Sequence, residues 1–267
     1  MNVIVCDGLV RHFGDVTALN DLTLSVEKGE FFALLGPNGA GKSTTLHILT
    51  TMLPPSSGRA EVAGHDVVRE PRGVRNAIGM VFQEPALDTR LTGRENLRIH
   101  AALYAIPRRR VDAVVDEALQ WASLEEAGDR LVRTYSGGMK RRLELGRALM
   151  HEPKVLFLDE PTLGLDPQGR RHLWESIAQL RGRGLTVVMT THNLAEAESC
   201  DRVGIIDQGR LQALGTPQEL RHQVGLAGDA TLEEVFLALT GRGLRDEDAG
   251  PRDRLLAFAK QGGEHTG

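Results

Sequence analysis

Nine consecutive residues, Gly36-Pro37-Asn38-Gly39-Ala40-Gly41-Lys42-Ser43-Thr44, have the types and spacing that bind a triphosphate. They match G-x-x-x-x-G-K-[ST], in which backbone N–H groups ring the phosphates, the lysine reaches the β- and γ-phosphates and the hydroxyl touches Mg²⁺. Glycines at 36, 39 and 41 allow positive φ and a close approach of backbone to ligand. A helix starting here would add its positive end to the cradle. Far downstream, Asp159 and Glu160 close the apolar run Val155-Leu156-Phe157-Leu158. Neighbours in a strand point to opposite faces, so the two acids should have different work. Asp159 suits holding Mg²⁺ through water. Glu160 suits orienting and polarising an attacking water. The competing reading, a pair of capping acids on a loop, is disfavoured by the phosphate loop upstream.

Four further candidates are less decided by local chemistry. Gln83 and His192 each follow an apolar strand. A lone Gln there is usually solvated and a lone His usually structural, but ligands gather at the carboxyl edge of a parallel sheet. Ser136 is a plausible N-cap. Gly137 and Gly138 beside it cost entropy at a helix start, which a second anion site explains better than capping alone. Phe13 lies between the first two strands; its position favours a core aromatic, although any flat apolar ring can stack on a base.

The elements that must position these residues read as alternating strands and helices. Phe31 to Leu35 is a strand, and the helix after Lys42 runs until Pro54 stops it. Before it lie short strands at 3–5, 17–19 and 22–26, with partial apolar alternation. A strand pair covers Arg59 to Val68, and Ile78 to Phe82 is a compact strand ended by Pro85. From about 85 to 153 the pattern is helical. Thr92 caps a helix towards Tyr104, Pro107 breaks it, Arg108-Arg109-Arg110 reads as a solvated loop, and Val111 to Trp121 follows. Another helix opens at Ser136 and ends at Pro153. Between Lys154 and Asp159 the run is continuously apolar, as a strand buried on both faces of a parallel sheet must be, and Leu185 to Thr190 reads as the next buried strand. Pro167 starts the helix between them, which Gly182 and Gly184 end. A hairpin turns at Asp207-Gln208-Gly209. Thr216 caps a short helix, and Thr231 with Glu234 forms a capping box on a helix to about Leu239. Residues 241–250 read as a linker, and Leu255, Leu256 and Phe258 as a possible last element.

The chain has 267 residues, enough for one large domain or a core with a subdomain and a tail. Its formal net charge of −4 argues against nucleic acid as a partner. Cys6 and Cys200 make no disulfide framework, so a reducing compartment is expected. The first residues lack the basic and apolar regions of a leader. No apolar run approaches ~18 residues, so any membrane crossing falls to other chains.

Taken together, the motifs resemble the ATPase subunit of ABC transporters over roughly residues 3–222. Gly36 to Thr44 matches Walker A and Val155 to Glu160 matches Walker B with its catalytic Glu. Gln83 matches the Q-loop, Ser136-Gly137-Gly138 the signature, Leu165-Asp166 the D-loop and His192 the switch histidine. Phe13 falls where the family stacks an aromatic on adenine, which reverses the local reading. Three departures stand out: Tyr-Ser-Gly-Gly-Met in the signature, Leu-Gly at the start of the D-loop, and Phe in place of Tyr against adenine. The Ser-Gly-Gly core is intact and stacking needs no hydroxyl.

The resemblance implies an α/β fold. It would be a P-loop NTPase core of mixed, mainly parallel sheet with flanking helices, an N-terminal antiparallel β subdomain and an inserted α-helical subdomain. It implies an ATPase domain at 1–222, with the helical insertion at 84–153, and a C-terminal extension at 223–267. ATP and Mg²⁺ are the implied cofactors, with Ser43, Gln83 and Asp159 at the metal and Lys42, Glu160 and His192 as the catalytic set. It further implies a head-to-tail homodimer on the cytoplasmic face of the cell membrane, coupled to integral-membrane permease subunits. The runs Tyr135 to Leu143, Leu91 to Leu97 and Thr231 to Phe236 look like exporters of drugs and antibiotics of the daunorubicin-resistance type. ATPases for lipid or polysaccharide export share much of this wording. An ABC ATPase uncoupled from transport would be expected to show a second cassette or a long coiled coil, and a non-hydrolysing regulator would lack the catalytic Glu or His.

Overall fold

The structure, a computed structural model, describes residues 1–225 and 230–241. Among the described residues, ten strands form two sheets. The first sheet joins β1 (Asn2–Phe13), β2 (Val16–Glu27), β4 (Ser57–Val62) and β5 (His65–Asp66), antiparallel throughout and ordered β2-β1-β4-β5. The second joins β3 (Phe31–Leu35), β6 (Ile78–Val81), β7 (Val155–Asp159), β8 (Thr186–Thr191), β9 (Arg202–Asp207) and β10 (Arg210–Gly215). Its order is β10-β9-β3-β8-β7-β6, parallel except for the β9–β10 hairpin. Every residue of β3, β7 and β8 is buried, as expected of central strands in a parallel sheet covered on both faces.

The first two strands are much longer than the sequence suggests. Register breaks in the β1–β2 pairing fall between Cys6 and Leu9 and again between Leu9 and Arg11. Each break resets which residues face the core, so no long alternation is visible in the chain.

Nine helices are described: α1 (Lys42–Leu49), α2 (Pro71–Ala77), α3 (Gly93–Leu103), α4 (Arg108–Trp121), α5 (Gly137–Leu149), α6 (Pro167–Gly182), α7 (Leu194–Ala197), α8 (Pro217–Gln223) and α9 (Leu232–Thr240). Helices α3, α4 and α5 share a core of their own that includes Leu97, Val115, Leu119 and Leu143. Thr92, Thr216 and Thr231 each close a capping box with the Glu three residues on. Arg108-Arg109-Arg110 is not a loop but the exposed first turn of α4, because Pro107 occupies the N-cap, where no N–H is needed. Helix α9 buries Leu232, Val235 and Phe236 in the core that packs Phe31 and Val203 of the parallel sheet. The expected linker at 241–250 lies almost wholly, and the element at 255–258 entirely, outside the described residues.

Candidate functional site

Strand β3 delivers the chain into Gly36, whose N–H donates to Thr191 O at 3.3 Å at the end of neighbouring β8. The loop is then pinned from below by the β9–β10 turn, where Gly209 N–H donates to Ala40 O at 2.9 Å. Two glycines here serve different needs. Gly41 has φ +106, and a Cβ on it would sit 2.7 Å from Ala18 O. Gly36 does not adopt positive φ; it is glycine because a side chain would collide with the Ile206 carbonyl and crowd Ala40. The sequence reading of conformational freedom therefore holds for Gly39 and Gly41, and close packing replaces it at Gly36.

Lys42 begins α1 and is 4% exposed. Its ammonium donates to Gly36 O at 2.8 Å and Pro37 O at 2.9 Å, and lies 3.5 Å from Glu160 Oε1. Ser43 Oγ donates to Asp159 Oδ1 at 3.2 Å, and Thr190 Oγ1 donates to the same oxygen at 2.5 Å. His192 Nδ1 is 3.4 Å from Glu160 Oε1. Strands β3, β7 and β8 thus bring Lys42, Ser43, Asp159, Glu160 and His192 together at their carboxyl ends, a consequence of parallel neighbours whose following loops share one edge.

The two acids do differ in surroundings, but strand alternation is not why. Strand β7 stops at Asp159, and Glu160 turns out of it with φ +43, a left-handed backbone for a non-glycine residue. Its N–H donates to Thr190 O at 3.2 Å and to Thr190 Oγ1 at 3.1 Å. Thr190 therefore braces both acids, a role the sequence did not signal, since it is one of three threonines in β8.

Burial alone would raise the Glu160 pKa, yet the His192 hydrogen bond and the Lys42 charge outweigh it and hold it below 4.5. The Glu160 bond raises the His192 pKa above 6.5, against partial burial and the repulsion of Lys42. Glu160 Oε1 thus stands between the Lys42 ammonium and the His192 ring at the mouth of the phosphate loop. The hard oxygens of Ser43 and Asp159, already in hydrogen-bond contact, are the donor set Mg²⁺ prefers.

The remaining candidates stand apart from this bonded cluster. Gln83 follows β6 and is half-buried. Phe13 ends β1 with 39% exposure and the Arg11 guanidinium 4.6 Å above its ring centroid, so it is not a core aromatic. Ser136 caps α5, its Oγ accepting from Met139 N–H at 3.2 Å. Neither Gly137 nor Gly138 has positive φ, and a Cβ on either would meet no close contact. Asp166 caps α6 by accepting from Gly169 N–H at 2.8 Å.

Comparison with known proteins gives one coherent picture. The family model described as ABC transporter matches residues 19–163. The daunorubicin resistance ATP-binding protein DrrA3 of Streptomyces coeruleorubidus is 48% identical over 223 residues, 83% of this chain and 71% of that one. The linearmycin resistance ATP-binding protein LnrL of Bacillus subtilis is 40% identical over 232 residues, 86% of this chain and 74% of the relative. Among solved structures, an ATP-binding subunit of an ABC transporter superposes with a TM-score of 0.81 at 32% identity, covering 89% of this chain and 99% of that one. A dimeric, post-hydrolysis ATP-binding cassette bound to ADP and Pi superposes with a TM-score of 0.72 at 26% identity, covering 80% and 98%.

Proposed function

The chain belongs to the ATP-binding subunits of ABC transporters and is an ATPase of that type; on that premise we propose that it drives export of a hydrophobic drug or antibiotic through a separate membrane permease. The observation that carries the site assignment is the linked set Lys42, Glu160 and His192, with 3.5 and 3.4 Å contacts at the carboxyl edge of the parallel sheet.

ATP lies on the loop Gly36 to Thr44, its phosphates facing the loop amides and the start of α1. Lys42 leaves its loop carbonyls to meet the β- and γ-phosphates. Glu160, kept ionised by His192 and Lys42, accepts a hydrogen bond from the attacking water and aligns it on the γ-phosphate. His192 and Lys42 then balance the negative charge that builds on the transferred group. Ser43 and Asp159, with the Gln83 amide oxygen, would hold Mg²⁺, which would supply positive charge against the phosphates. Phe13 presents the ring face opposite Arg11 to adenine.

Ser136, Gly137 and Gly138 complete the pocket of a second copy in a head-to-tail homodimer. Two glycines that their own fold does not require support a close approach by something outside the protomer. Residues 84–153 form the helical subdomain within an ATPase domain at 1–222, and 223–267 extend it. No described helix is long and apolar enough to cross a membrane; membership of the ATP-binding subunits of ABC transporters supports a peripheral position on the inner face of the cell membrane beside a separate permease. The names of the relatives support a drug or antibiotic as cargo.

The test is Glu160→Gln. ATP binding should persist while turnover falls about 10²–10⁴-fold, the range removed with a general base. Turnover near that of the unaltered chain would end the assignment of Glu160. Accumulation of labelled drug in inside-out vesicles carrying the chain and its neighbouring permease tests the cargo.

A further inference from the structure

Arg141, in the second turn of α5, is 5% exposed and spends its guanidinium on the backbone of other segments. Nε donates to Pro161 O at 2.8 Å. One terminal nitrogen donates to Phe82 O and to Glu144 Oε2, the latter at 3.4 Å. The other donates to Asp159 O at 3.4 Å and Glu160 O at 3.3 Å. Five donors in a rigid planar fork make this possible; no other side chain offers them.

The three segments so joined are the ones the proposed function uses. Phe82 is the residue before Gln83. Asp159 to Pro161 is the loop of the two acids. Helix α5 opens at Ser136-Gly137-Gly138. Glu160 also carries a strained backbone, at φ +43, a conformation that persists only where its surroundings impose it. Thr190 holds the N–H side of that residue and Arg141 holds its C=O. Fully buried Glu144 balances the guanidinium, which a buried charge requires.

We propose that Arg141 is a positioning residue for hydrolysis: it fixes the backbone of Glu160 and locks the start of α5 and the Phe82–Gln83 strand end to it as one unit. The proposal rests on the assignment of Glu160 above. Closing a second protomer on Ser136-Gly138 would move α5, and α5 would carry the Glu160 carbonyl with it. Hydrolysis is thereby tied to a correctly seated signature helix.

Arg147 supplies the contrast. It lies on the same helix, pairs with the same Glu144 at 3.6 Å and donates to Ala86 O, but forms no hydrogen bond with residues 159–161 among the described residues. Arg141→Gln, Arg141→Lys, Arg147→Gln and Glu160→Gln in the full chain would be compared by single-turnover hydrolysis of Mg·ATP, half-saturation by ATP, thermal unfolding and hydrogen exchange of the 157–163 peptide. Arg141→Gln should slow turnover about 10- to 100-fold, as sub-ångström misplacement of a catalytic group does, and speed exchange of that peptide. Half-saturation should stay within about threefold, the split expected when only the chemical step is weakened. Arg141→Lys should be intermediate. Arg147→Gln should melt as early as Arg141→Gln yet keep turnover within about twofold, so that lost stability and lost positioning separate. Unchanged turnover in Arg141→Gln, or an equal loss in Arg147→Gln, would overturn the proposal; if Arg141→Gln does not fold, Arg141→Lys decides by the same criteria. Normal turnover in Glu160→Gln would instead sink the assignment of Glu160 itself.

Discussion

At the scale of residues, the site sets the buried Lys42 and Glu160 against each other and against the exposed His192 ring. Glu160 is held below its ordinary pKa by His192 and Lys42 against the effect of burial, and His192 is held more basic by Glu160. The linkage has a definite sign. His192, raised in the folded chain, contributes stability that is complete below its ordinary 6.5 and lost as pH rises through its folded value. Glu160, lowered, contributes stability complete above its ordinary 4.5 and lost as pH falls through its folded value. Between these limits the pair is intact. In the metal-free chain, the His192 ring should therefore titrate above 6.5 by proton NMR, and Glu160→Gln should bring that midpoint down; an unmoved midpoint would show the two groups are not coupled. The motif residues of this cluster were legible in the sequence because phosphate chemistry permits few alternatives to Gly, Lys, Ser, Asp and Glu at those spacings. Thr190 was not legible, since a hydroxyl in a buried strand reads as β-propensity until its partners are known. Arg141 was hidden for the same reason: an arginine in a helix is ordinarily a solvated surface residue, and only tertiary contact reveals its five acceptors.

At the scale of elements, what the sequence revealed depended on how local the cause was. Capping boxes at Thr216 and Thr231 and the N-cap at Thr92 are written within four residues, and all three formed. The lengths of β1 and β2 depend on bulges and on pairing across the chain, so short alternating fragments were all that showed. The start of α4 was misplaced because three arginines look like loop when their first-turn position after Pro107 is not recognised. Helix α5 offers the sharpest test at this scale. Gly137 is its first residue, has ordinary φ, and has open space where a Cβ would go. For the fold alone, Gly137→Ala should be harmless or should stabilise by up to ~1 kcal/mol through the unfolded chain. If a triphosphate from a second copy must approach this backbone, the same change should abolish ATP turnover. A thermal midpoint held or raised together with lost hydrolysis is the expected pair of results. Retained hydrolysis would mean that no ligand comes near the start of α5.

At the scale of the whole molecule, one protomer carries two separate candidate anion sites, the phosphate loop before α1 and the start of α5. The bonded cluster is built on β3, β7 and β8, while Ser136 and Gly137 are exposed at the start of a helix whose core belongs to α3 and α4. On the proposed function each would be half of a pocket for a phosphate chain, and a second copy turned head to tail would supply the missing half twice over. Binding free energy would then come from closing two copies on two nucleotides, and hydrolysis would release it. The energetic signature follows. A chain that binds but cannot hydrolyse, Glu160→Gln, should be trapped closed by Mg·ATP, because ligand bound only in the dimer stabilises the dimer by mass action. Analytical ultracentrifugation should then give twice the 29.1 kDa chain mass with ATP and the single chain mass without nucleotide. Adding Gly137→Ala to Glu160→Gln should return the ATP-loaded chain to a monomer while leaving nucleotide on the phosphate loop, since only the second half-site is damaged. A monomer in ATP-loaded Glu160→Gln would remove the reason for pairing the two sites and leave the exposed glycines without an explanation.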